Sequence, residues 1–374
     1  MKKIVIILLA AAGLSSCYYH PDTPRGSFAK GADVSWLSEM EHDGVKFYEP
    51  SENGSRSPEG DCLDILQKAG ANSVRLRVWV NHATGWSNKA DVVYMAKRAA
   101  KQGTRVMVDF HYSDFFADPN HQTVPAAWQD YSYEQLCEAV REHTLDVLYA
   151  LKEEGVKPEW VQVGNETPKG MLWPVGRVTD LSLPHDSTAP AENHWDEYAG
   201  LTATGYKAVK EAFPDAQVIV HVDNAFMYRD WFFRAMEEHG GLFDMIGLSH
   251  YPMMSEWSGI PWEEANRRAE ENIRALIQTF HKPVMIAEVG MLNWGEGAVY
   301  DSVAALSDAV MTDFMGRIAP IDSCVGIFYW EPQVYSGWRP AEYIPLGWGS
   351  YNMSSFTPEG QPSPALQTML GWEK

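Results

Sequence analysis

Two glutamates stand out by their setting. Glu166 closes the run WVQVGNE and Glu288 lies near the end of VMIAEVG, so each follows an apolar, β-branched stretch of strand length. Opposed carboxylates suit glycoside hydrolysis, where one carboxylic acid protonates the leaving oxygen and the other attacks the anomeric carbon. The competing reading pairs each glutamate structurally with an arginine. Other polar groups also end strand-like runs: Arg75 or Arg77, Asp109 and His111, Asn165, His221 and Asp223, His250 and Tyr251, and Trp330 with Glu331. One such residue means little. Polar residues at six or more strand ends converge on one pocket if the strands form a barrel. No Gly-rich anion loop accompanies them, which speaks against phosphate chemistry.

The elements that would position these groups alternate along the chain. Short apolar runs at 30–35, 73–80, 105–110, 160–163, 217–222, 245–249, 283–287 and 326–329 predict strands. Helical spacing is clearest at 91–102, 133–154, 197–212, 231–238 and 262–280, with Ser132 placed to cap the second. Eight strands, each followed by a helical segment, predict a single (β/α)8 barrel, an α/β fold with extended loops after its strands. The longest connections, 112–130, 167–195 and 335–363, follow strands. In a barrel those loops build the active site.

The chain has 374 residues and a formal net charge of −20. That charge argues against nucleic acid, whose phosphates need a basic face, and against a polybasic membrane-surface protein. Aromatic residues make up 12%, with 15 tryptophans. Such richness excludes disorder and implies either a large core or a groove lined with flat rings.

The N-terminus reads as a targeting segment. Lys2 and Lys3 precede an apolar run over 4–14, too short to span a bilayer but right for a signal peptide. It ends in LSSC, which resembles a bacterial lipobox with Cys17 as the lipidated residue. The expected organisation is a signal peptide over 1–16, a lipidated tether over 17–28 and a catalytic domain over 29–374. Tyr18 follows the cysteine instead of Asp, so the resemblance implies an outer-membrane or cell-surface lipoprotein. Cys62, Cys137 and Cys324 lie in or beside apolar patterns and read as buried free thiols.

Motifs across the chain sharpen the function. Asn165-Glu166 ending the fourth strand and Glu288 at the seventh resemble the catalytic pair of clan A retaining glycoside hydrolases. DFHYSDFFADPNHQTVPAAW (109–128) closely resembles the signature of glycoside hydrolase family 53, the endo-β-1,4-galactanases. GADVSW (31–36), RLRVWVNHATG (75–85), HVDN (221–224) and IGLSHYP (246–252) resemble family segments in the same order. The similarity spans roughly 29–365. Phe116 stands where the family usually has Trp, and His250 precedes Tyr251 where Tyr-Tyr is common. Some bacterial members bind calcium after the seventh strand. Here that loop reads MLNWGEGAVYDS (291–302), and Glu296 and Asp301 alone do not make the oxygen cage calcium needs, so no cofactor or metal is expected.

The resemblance implies Glu166 as general acid/base and Glu288 as nucleophile in a double displacement with retention. Tyr251 would donate to Glu288, and Arg77 would hold it electrostatically, with Arg75 as the rival. Asn165 would contact the sugar 2-hydroxyl. His111 and His221 read either as pocket lining or as satisfied core histidines, and Asp109 as lining or as buried against an arginine. Trp330 is the expected platform beneath the sugar. Trp86, Trp128, Trp294, Trp338 and Trp348 lie in post-strand loops, and two or three of them are expected to touch substrate. The implied partners are β-1,4-galactan and its oligosaccharides, with membrane contact only through the lipid and the chain acting as a monomer. Two alternatives are carried: another clan A activity such as a mannanase or cellulase, and a surface lipoprotein that binds glycan without cutting it.

Overall fold

The computed structural model describes residues 26–50, 57–179, 193–255, 259–292, 300–335, 337–346 and 353–374, with 300–302 described by backbone alone. The strands are β1 (Ala29–Asp33), β2 (Ser73–Val78), β3 (Arg105–Phe110), β4 (Trp160–Val163), β5 (Gln217–Val222), β6 (Met245–His250), β7 (Val284–Val289) and β8 (Cys324–Tyr329). They close into one parallel barrel in the order β1-β8-β7-β6-β5-β4-β3-β2. This is the expected (β/α)8 architecture, and every strand boundary lies within two residues of its sequence-based range.

Helices α1 (Leu37–His42) and α2 (Cys62–Lys68) follow β1. Each later strand up to β7 is followed by one helix: α3 (Lys89–Lys101), α4 (Tyr133–Glu153), α5 (Trp195–Ala212), α6 (Asp230–Glu238), α7 (Trp262–Phe280) and α8 (Tyr300–Ile318). α9 (Pro364–Gly371) comes after β8 and packs on α8. Ser132 caps α4 in a reciprocal box: its hydroxyl accepts from the Gln135 N–H, and the Gln135 side chain accepts from the Ser132 N–H. α3 begins earlier than its apolar pattern because Asn88 caps it by accepting from the Asp91 N–H. α8 is expected from the alternation of elements but has no clear helical spacing in the sequence. It carries Val303 and the exposed Leu306 off its buried stripe, which blurs the helical period.

Two layers fill the barrel. Ala29, Met107, Trp160, Ile219, Met245, Met285 and Phe328, from seven different strands, make an apolar plug. Its bulk sets local sequence: a Cβ on Gly31 would lie 2.1 Å from Phe328 Cδ1, so the strand passes that ring only as glycine. Towards the C-terminal ends of the strands the inward positions turn polar, with Asp33, Arg75, Asp109, Gln162 and His221 all buried. A larger apolar core lies between the barrel and its helices. Cys62 and Cys324 are buried and Cys137 half-buried, all three as free thiols. Among the described residues no helix is long and apolar enough to cross a membrane. The signal and lipidation expectations for 1–16 and Cys17 lie outside the described residues.

Candidate active site

A cleft of about 1000 Å³ opens at the C-terminal ends of the strands and is lined by both Glu166 and Glu288. In barrel order β4 and β7 are separated by β5 and β6, so the two carboxyl groups face each other across the mouth. Asn165, Asp223, Asn224, Tyr251 and Trp330 share the lining.

Arg75 organises the floor. Its Nη1 donates to Asp33 at 2.7 Å, its Nε to Gln162 Oε1 at 2.7 Å, and its Nη2 lies 2.8 Å from Asp109, Asn165 Oδ1 and Glu288 Oε1. Burial opposes the guanidinium charge, but Asp109, Glu288 and Asp33 outweigh it and raise its pKa. The sequence favoured Arg77 as the partner of Glu288, and the structure corrects this. Arg77 pairs with Glu331, and its guanidinium lies 4.1 Å from the Trp36 ring centroid and 4.6 Å from those of Trp79 and Phe116. The two arginines have the same strand parity, and height along the barrel decides between them.

Glu288 takes two further donors, Tyr251 Oη at 2.6 Å and Ser249 Oγ at 3.5 Å, both on Oε2. Glu166 has a left-handed backbone, φ 42°, a conformation that costs a non-glycine residue about 1–3 kcal/mol. Its surroundings pin it there. Gln122 Nε2 donates to the carbonyls of Asn165 and Glu166 at 2.9 and 3.1 Å, and the Glu166 N–H donates to His221 Nδ1 at 3.3 Å. Tyr112, Asn224 and Glu331, which also follow barrel strands, share the left-handed conformation.

The two carboxyls differ in protonation. Burial raises Glu166, and the facing charges of Glu288 and Asp223 push it well above the ordinary carboxylate range. Burial raises Glu288 too, but Arg75 and the Tyr251 hydroxyl favour its charged form and hold it back. The proton of this coupled pair therefore sits on Glu166, and the charge on Glu288. One neutral acid and one carboxylate on opposite walls of a cleft can protonate and attack in the same step.

The chain matches the family model for glycosyl hydrolase family 53 over residues 29–369. The chain belongs to this family. Among its curated relatives, an arabinogalactan endo-β-1,4-galactanase of Cellvibrio japonicus is 31% identical, over 89% of this chain and 87% of the relative. An arabinogalactan endo-β-1,4-galactanase of Thermothelomyces thermophilus is 31% identical over 81% and 89%. A solved family 53 catalytic domain from Ignisphaera aggregans superposes with a TM-score of 0.76 at 28% identity, covering 94% of this chain and 98% of that one.

Several expectations for side chains change in this family 53 hydrolase. Asp109 is fully buried between Arg75 and His111, His111 accepts the Ala117 N–H on Nδ1, and His221 is fully buried. None of the three lines the cleft; they hold the residues that do. Asn165 does line it, with Oδ1 accepting from Arg75 and Nδ2 donating to the Ala117 carbonyl. His250 is a packing residue, bonded to Asn266 and 4.1 Å from the Phe314 ring. Trp330 lines the cleft, edge-on to Tyr251. Of the five loop tryptophans, the three in described positions do not line this cleft. Trp86 faces a separate hollow beside His42, Trp128 is buried near His143, and Trp338 is buried against Trp36 with its Nε1 on Asp43. Trp294 and Trp348 lie outside the described residues, as does most of the loop 291–302. Phe115, Phe116, Leu292 and Leu346 supply the apolar lining instead. Asp33, Gln122, Gln162 and Ser249 were missed by the sequence reading. All four stand inside quoted runs, Asp33 in GADVSW, Gln122 in the 109–128 motif, Gln162 in WVQVGNE and Ser249 in IGLSHYP, which was the available signal.

Proposed function

We propose that this chain is an endo-β-1,4-galactanase acting on galactan and on the side chains of type I arabinogalactan by double displacement with retention. The observation that carries the reading is the pair Glu166 and Glu288 lining one cleft, with Arg75 and Tyr251 bonded to Glu288 alone, in a chain about 30% identical to galactanases over most of its length. In the first step Glu166 gives its proton to the leaving glycosidic oxygen while Glu288 attacks the anomeric carbon. The resulting ester removes the charge of Glu288. Glu166, now facing a neutral group, takes a proton from water, which attacks the same carbon and releases Glu288. Asn165, held by Arg75, faces the sugar beside the cleaved bond, and the Trp330 ring packs against an apolar C–H face of the galactose.

A time course on linear β-1,4-galactan, followed by NMR of the nascent reducing end, tests this. The first-formed anomer is expected to be β. A first-formed α anomer, or cleavage of mannan or cellulose without galactan, sinks the reading.

Tyr251→Phe removes the donor at 2.6 Å from Glu288. A hydrogen bond to a charged group is worth about 1.5–3 kcal/mol, so kcat/KM should fall about 10–100-fold. Because that bond favours the carboxylate, its loss raises the Glu288 pKa. The acid limb of the kcat/KM profile should move to higher pH, and a pH series on galactan reads it.

The N-terminal segment supports a second part of the proposal: residues 1–16 are removed, Cys17 is lipidated, and 17–28 tether the barrel to the outer membrane. The full-length chain expressed in a Gram-negative host should take up labelled palmitate, and Cys17→Ala should not. Equal labelling of both would remove the anchor.

A further inference from the structure

Ser249 lies between the two carboxylates and has no assigned part in the displacement. It is fully buried on β6. A register shift aims it: Leu248 pairs with Ile286 but Ser249 pairs with Glu288, so β7 takes up one extra residue at that point. Such irregularities commonly re-aim a side chain beside an active site. Its Oγ ends 2.9 Å from His221 Nε2 and 3.5 Å from Glu288 Oε2. Glu166 is the other carboxyl beside it: the Glu166 backbone N–H is bonded to the same His221 ring that holds Ser249 Oγ, and a hydrogen bond from the serine favours the charged form of Glu166.

His221 decides where the serine proton points. Its Nδ1 receives the Glu166 backbone N–H and the Gln162 amide, the latter oriented because Gln162 Oε1 already accepts from Arg75. Asn165 Oδ1 also lies 3.0 Å from Nδ1, but a backbone N–H cannot reorient, so Nδ1 is an acceptor. Burial and the Arg75 charge keep the ring neutral. The one ring proton is then on Nε2 and is donated to Ser249 Oγ. With that oxygen occupied as acceptor, the single serine proton goes to a carboxylate.

We propose that Ser249 is a positioning residue whose hydroxyl follows the negative charge, donating to Glu288 in the free enzyme and to Glu166 once Glu288 is esterified. This rests on the roles assigned above to Glu166 and Glu288. No proton leaves the serine; only its C–O–H torsion changes, while the reaction proton passes from Glu166 to the leaving oxygen and later from water to Glu166. The other charged groups facing Glu166 are Glu288, Asp223 and Asp118; those around Glu288 are Arg75, Asp109 and Asp33. All three acidic groups around Glu166 oppose its ionisation, so Ser249 is the donor that supports the base form.

The test is pre-steady-state kinetics of Ser249→Ala on a 2,4-dinitrophenyl β-1,4-galactotrioside, whose leaving group needs no acid. The burst of dinitrophenol, reporting glycosylation, should fall less than turnover, because the bond to Glu288 is long at 3.5 Å and Tyr251 and Arg75 still hold that carboxylate. Steady-state turnover, limited by deglycosylation, should fall about tenfold at neutral pH, the scale of one hydrogen bond to a charged group. It should recover as pH rises, because Glu166 without its donor ionises later. Ser249→Thr, which keeps the hydroxyl, should retain the wild-type ratio of burst to steady-state rate. Equal losses in burst and turnover with no recovery at high pH, in a variant that unfolds at the wild-type temperature, overturn the proposal. If Glu288→Gln still gives a burst, the assignment of the nucleophile fails instead, so the two failures are distinguishable.

Discussion

Glu288→Gln is expected to lower turnover of galactan by at least about four orders of magnitude, the scale of losing a covalent nucleophile. Glutamine keeps the shape but supplies no anionic oxygen to attack the anomeric carbon. The fold should survive, because Arg75 keeps Asp33 and Asp109 as partners and the site loses a carboxylate whose burial is unfavourable. The unfolding midpoint should therefore stay level or rise while activity disappears. Reducing-sugar release and thermal unfolding on the same preparation separate the two effects. Unchanged turnover means that Glu288 is not the nucleophile. A wild-type chain that binds galactan and releases no sugar would favour the glycan-binding alternative.

The second large effect is on stability. Arg75→Ala would leave Asp33, Asp109 and Glu288 without the cation at 2.7–2.8 Å that each now has, the first two buried beneath the cleft and the third at its floor. Removing one partner of a buried ion pair costs about 3–5 kcal/mol, and here one side chain serves three carboxylates. Total stability of a domain is about 5–15 kcal/mol, so the variant should unfold at a much lower temperature or fail to fold. Arg75→Lys keeps the charge but has no planar fork to serve Gln162, Asp33, Asp109, Asn165 and Glu288 together. It should fold with a lowered midpoint and lose most activity, since Glu288 and Asn165 are both oriented through the guanidinium. Thermal unfolding of both variants against the wild type checks the order: Ala least stable, Lys between. A wild-type midpoint for Arg75→Ala would mean that the buried network contributes nothing.

The barrel was legible in the sequence because its strands are buried on both faces. β5 and β7 read as unbroken apolar runs, VIV and VMIA, and each is buried along almost its whole length. Glu166 and Glu288 were legible for the complementary reason: a carboxylate at the end of such a run is hard to place except at the mouth of the barrel. Arg75 was harder. Residues two apart on a strand share a face, so pattern could narrow the partner of Glu288 to Arg75 or Arg77 and go no further. The choice rests on height: Arg75 is level with Asp33 of β1, whereas Arg77 sits one pair higher, level with Asp109, and reaches Glu331 beyond β8.

The tryptophans show where local reasoning stops. Loop position placed Trp86, Trp128 and Trp338 near a groove, but packing turned each away from the cleft, and two phenylalanines of the β3 loop took the lining. The family, the barrel, the two carboxylates and their phenolic neighbour Tyr251 can be read before folding, because each is carried by residue type within a contiguous run. Only the closed barrel shows which arginine serves Glu288, which aromatic rings line the cleft, and that Ser249 stands between the carboxylates with His221 bonded to it. Those relations join side chains from different strands. They depend on strand stagger, on one register shift and on the direction in which each loop packs, which are properties of the closed barrel and of no single segment.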